Sequence, residues 1–205
     1  MNLVMRAGGF EMSNNALRLC LFIVVALISA CDRGRERINV LTANGEPEVP
    51  VMDFSAPFLL DPLPAGWYHR TFWTRGPMQM AFATKDGVPS LRFETRSTAS
   101  MLFRHVDLDL MRYHFLMWRW YIEQPIDSAL DERTREGDDH PARLFLVFLT
   151  SAGDERRMEI VWGNKLKAED YKYIGGFPHY VADGGDDNIH QWRRPVAITI
   201  AMKTH

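Results

Sequence analysis

The chain has 205 residues, with Lys and Arg totalling 24, Asp and Glu 26, and a formal net charge of -2. That balance excludes a polybasic nucleic-acid or membrane-surface binder, and two cysteines cannot staple a disulfide scaffold. At 46% hydrophobic and 24% charged residues, the chain is too apolar to be disordered and too mixed to be a polytopic membrane protein.

Leu19–Ala30 is an unbroken run of 12 apolar and small residues preceded by Arg18, with Met1 or Met12 as the start. It falls short of the about 20 residues that cross a bilayer core and has the length of a secretory h-region. Ile28-Ser29-Ala30-Cys31 follows at once and resembles the lipobox of bacterial lipoproteins. The resemblance implies cleavage before Cys31, a diacylglyceryl thioether on its sulfur and a palmitate-like acyl group on the new amino terminus. Several chains anchor stably where one does not. The expected partner is therefore a lipid bilayer, and the expected address is the bacterial cell envelope, facing the periplasm or the exterior. Asp32 resembles an inner-membrane retention signal. Cys20 leaves with residues 1–30, so no free thiol remains in the mature domain.

Asp32–Pro50 is charged and turn-rich and reads as a tether over residues 31–50. From Val51 the period is two, predicting one β-domain over 51–205. Met78–Phe82 and Ser90–Arg96 alternate about Asp86-Gly87, a hairpin signal. Met101–Val106 and Phe115–Ile122 continue the pattern. Arg143–Leu149 is apolar on both faces, as a central strand would be. Met158–Trp162 and Val196–Met202 add two more strands, with Pro195 at an entry or edge. Ser128–Glu136 offers a short helix between Asp127 as N-cap and Gly137 as stop. The expected fold is all-β and mostly antiparallel, a β-sandwich or jelly-roll-like arrangement with an N-terminal signal helix.

Trp118-Arg119-Trp120, Asp131–Asp139 and Pro141-Ala142-Arg143 before an apolar strand, then Val161–Lys165 and Gln191-Trp192-Arg193, resemble the bacterial domain of unknown function 3047 over residues 52–194. Gly137-Asp138-Asp139 followed by Ala142-Arg143 is the most specific part. The family implies an exported, mostly-β domain of unassigned role. Its members continue past the tryptophan matching Trp192 into a helical stretch and an acid-rich strand, whereas this sequence stops at His205, so a C-terminal truncation is expected.

Glu123–Pro141 concentrates carboxylates around Gly137. One reading makes Asp138 and Asp139 ligands for calcium, a hard cation that takes six to eight oxygens. The other has Asp138 or Asp139 pairing Arg143 to pin the loop on the sheet. Asp186-Asp187 after Gly184-Gly185 reads as turn chemistry, with a metal implied only if it meets Asp138 and Asp139. Trp118 and Trp120 share a strand face and are either core residues or, with Trp67 and Arg143, part of a ligand platform. His69, His105, His114, His140, His179, His190 and His205 lack ligand spacing, and no catalytic motif is present. The expectation is a non-catalytic module for a glycan or cell-envelope polymer, with no nucleic-acid partner and no cofactor beyond calcium. The alternative is a carbohydrate-active enzyme using loop carboxylates.

Overall fold

The computed structural model describes residues 38–150, 152–193 and the backbone of 198–199. The leader with its expected signal helix, Cys31, Asp32, Pro195 and His205 lie outside the described residues. The chain divides into two compact units, the first ending at Leu108 and the second beginning at Asp109.

The first unit carries β1 (Val40–Thr42), β2 (Trp67–Thr71), β3 (Gln79–Lys85), β4 (Val88–Glu94) and β5 (Ser100–Asp107). β5 is the middle strand of three, parallel to β1 and antiparallel to β2. β1 lies within the stretch that reads as a tether, and its backbone pairs from Val40 opposite His105 to Thr42 opposite Asp107. β3 and β4 form the expected hairpin, from Gln79 opposite Glu94 to Lys85 opposite Val88. Its two turn residues, Asp86 at φ 52° and Gly87 at φ 77°, both have the positive φ that a twisted two-residue turn requires.

The second unit carries β6 (Phe115–Leu116), β7 (Arg143–Leu149), β8 (Glu155–Gly163), β9 (Tyr171–Ile174), β10 (Phe177–Gly184) and β11 (Ile198–Thr199). Four of these form a mixed sheet in the order β7-β8-β10-β9, with β8 and β10 parallel and the other pairs antiparallel. β6 pairs with β11. No barrel closes among the described strands, and no α-helix forms among the described residues.

Three expectations are corrected. The stretch read as a helix at Ser128–Glu136 is a run of turns, because Asp131 accepts the Arg133 and Thr134 N–H groups with its own carboxylate and carbonyl at 2.9 Å. Such local Asp bonding competes directly with helix hydrogen bonds. Phe115–Ile122 supplies only the two residues of β6 plus a bridge from Trp120 to Arg193. Arg143–Leu149 is an edge of the four-stranded sheet, not its centre. It is apolar on both sides because Leu144 and Leu146 pack on the core while Phe145 meets Phe177 on the opposite face. The centre is β8, where Ile160, Val161 and Trp162 are fully buried.

Two apolar clusters sandwich β8. Ile160 and Trp162 pack with Trp120 and Ile122 on one face, and Val161 packs with Val181 and Leu166 on the other. The second face also carries the polar residues of the site.

Candidate functional site

Strand alternation sets a row of side chains across the second face. Glu159 on β8 stands opposite Phe145 on β7 and His179 on β10, and His179 stands opposite Lys172 on β9. The acidic loop before β7 lies over this row and contributes Glu132, Asp138 and His140. Two features hold the loop there. The Glu132 carboxylate accepts the Lys165 and Leu166 N–H groups at 2.7 and 3.3 Å. The Asn164 side chain donates to the Asp139 carbonyl at 2.9 Å and accepts the Ile126 N–H at 2.9 Å. Gly137 permits the close return of the chain, since a Cβ there would stand 2.2 Å from the Asp131 carbonyl oxygen.

Lys172 is the hub. Its side chain is 3% exposed, and its ammonium donates to Asp138 Oδ1 at 2.6 Å, His140 Nε2 at 2.7 Å and the Glu132 carbonyl at 2.5 Å. An ammonium has three N–H donors, and each has a partner here. His140 Nδ1 lies 2.7 Å from the Trp162 carbonyl oxygen. A carbonyl only accepts, so Nδ1 carries the proton and Nε2 presents its lone pair to Lys172. Arg143 spans both carboxylates. Its guanidinium donates to Glu159 Oε2 at 2.8 Å, approaches Asp138 Oδ2 at 3.4 Å and bonds the Asp138 carbonyl.

Burial of Asp138 pushes its pKa up, but the hydrogen bond from Lys172 and the charges of Arg143 and Lys172 outweigh this. The carboxyl is held well below the usual carboxylate range. Asp138 is thus an ionised anchor, unsuited to donating a proton near neutral pH.

His179 differs from its neighbours. It is 2% exposed, stacks on Phe177 with centroids 4.9 Å apart, and makes no hydrogen bond of acceptable geometry through either ring nitrogen. Nδ1 nonetheless lies 3.3 Å from Asp138 Oδ1 and 3.4 Å from Glu159 Oε2. Asp138, Glu159 and His179 are the described residues whose ligand atoms all come within 4.8 Å of one another. That set contains neither Asp139 nor Asp186 and Asp187, which sit in the turn after β10. The groups facing Asp138 are mostly nitrogen atoms, which suits the calcium reading poorly.

Of the residues read from the sequence as site candidates, Asp138 and Arg143 meet in this cluster. Trp120 is 8% exposed and packs edge-to-face on Trp118 and Trp162, so it is core and offers no ring face to a ligand. Trp118 packs against the same core, half-buried. Trp67 belongs to the first unit, with the Arg104 guanidinium 6.0 Å from its ring centroid. Sequence reasoning missed Glu132, His140, Glu159, Lys172 and His179. A usable signal existed for Glu159, an acid inside the apolar run Met158–Trp162, and for Glu132 and His140, which lie in the acidic loop Glu123–Pro141; Lys172 and His179 have none.

A family model described as a protein of unknown function (DUF3047) matches residues 65–195. The chain belongs to that family. No curated protein and no solved structure matches it. The matched span includes every residue of the cluster, from Glu132 to His179.

Proposed function

We propose that this DUF3047 protein is a lipoprotein of the bacterial cell envelope, anchored through acylated Cys31, whose β-rich domain binds a glycan or related envelope polymer without turning it over. One observation carries the non-catalytic reading. Asp138 and Glu159, the carboxylates best placed to act together, are both bound to Arg143, and Asp138 also to Lys172. A glycosidase needs one carboxyl kept protonated and another free to attack or to activate water, and neither condition is supported by this pairing. The rival enzyme reading is disfavoured on the same ground.

Aromatic surface supports binding. Tyr171 and Tyr173 are 60% and 64% exposed on the edge strand β9, flanking the buried Lys172. Residues two apart on a strand point to the same side, about 7 Å from each other, and phenol rings so placed can stack on the apolar faces of sugar rings. Binding to insoluble envelope polysaccharide tests the proposal. Retention is expected to drop in a Tyr171→Ala, Tyr173→Ala double variant whose fold is unchanged. Equal retention of the wild type and the variant, or no retention of either, contradicts it.

A further inference from the structure

We infer that Asp138, Glu159 and His179 form a site for one first-row divalent ion of the zinc type, which fastens the acidic loop to the sheet. The inference does not rest on polymer binding.

The starting point is the orphaned imidazole. A buried ring with neither nitrogen hydrogen-bonded is costly and calls for a ligand. Its Nδ1 faces two carboxylate oxygens at 3.3 and 3.4 Å, close enough to belong to one site yet not aligned for hydrogen bonding. Ligand atoms about 2.1 Å from a tetrahedral zinc ion stand about 3.4 Å from one another. Both nitrogen–oxygen spacings match that edge length. Three protein ligands then leave one position for water.

Asp138 and Glu159 bring two negative charges to the site and Lys172 and Arg143 two positive ones, so the side chains around the ion are neutral in sum. Each carboxylate oxygen has more than one lone pair. Lys172 on Asp138 Oδ1 and Arg143 on Glu159 Oε2 can therefore remain as the outer hydrogen-bond partners that orient metal-binding carboxylates. An imidazole among the donors selects zinc or its first-row neighbours over calcium, which prefers oxygen throughout.

The test uses the full chain, extracted in detergent and stripped with a chelator. Titration with zinc chloride is expected to load one zinc per chain and to raise the melting temperature, with calcium chloride giving no such rise. His179→Gln should abolish zinc loading while the circular dichroism spectrum is retained. Glu159→Gln should weaken binding at least about tenfold. Failure of the wild type to load zinc, unchanged affinity in His179→Gln, or stabilisation by calcium in place of zinc would overturn the site. Should His179→Gln not fold, cobalt(II) in the wild type decides. Intense visible bands of a four-coordinate ion support the assignment, and the weak bands of an octahedral all-oxygen site reject it.

Discussion

Lys172 satisfies all three of its donors inside the protein, and each of its acceptors is buried or nearly so. Removing it leaves the ionised Asp138 with Arg143 as its remaining cationic partner at 3.4 Å, and breaking one partner of a buried pair costs about 3–5 kcal/mol. Lys172→Met is therefore expected to lower the urea midpoint by an amount corresponding to that loss. Asp138 itself makes stability depend on acidity in a defined direction. Its folded pKa is depressed, so its contribution is complete above the ordinary carboxylate value of 3.8 and is lost as pH falls through the lower folded value. Melting temperature should decline as pH is taken below about 4, and Asp138→Asn should remove part of that decline. Aromatic positions separate core from surface in the same way. Trp120→Ala should cost about 3–5 kcal/mol, whereas Tyr171→Ala on the exposed edge should change stability little.

At the level of elements, the parallel contact of β8 and β10 depends on missing side chains. A Cβ on Gly184 would stand 2.4 Å from the Leu166 carbonyl oxygen and 2.5 Å from that of Gly163. Gly184→Ala should therefore separate the strands and destabilise the second unit by about 1–3 kcal/mol, measurable by denaturant titration. The β3–β4 hairpin was legible in the sequence because one face of each strand alternates and Asp86-Gly87 supplies the turn chemistry. β10 was not legible. Its inward positions include His179 and Asp183, and a strand that buries polar side chains loses the apolar alternation by which strands are recognised. The edge position of β7 was hidden for the opposite reason, since its outer face is apolar as well: Phe145 meets Phe177 there, while Val147 and Leu149 on the same face stay exposed. The cluster was only half visible. Asp138 and Arg143 are five residues apart and could be guessed as a pair, but Glu159, His179 and Lys172 meet through strand register, which appears only once β8, β10 and β9 are paired.

At the scale of the whole molecule, the proposed lipid anchor at Cys31 would hold a β-rich chain whose Asp138 and Glu159 are paired with Arg143 and Lys172. Anchoring by acyl chains predicts that the protein partitions into the detergent phase on phase separation of a nonionic detergent, and that Cys31→Ser moves it to the aqueous phase. The central claim is that Asp138 and Glu159 hold structure and cleave no glycosidic bond. Incubation with envelope polysaccharides, with reducing-end release followed over time, tests it most directly. The account predicts no release above the protein-free control by either the wild type or Glu159→Gln. Release by the wild type that disappears in a folded Glu159→Gln variant would contradict it.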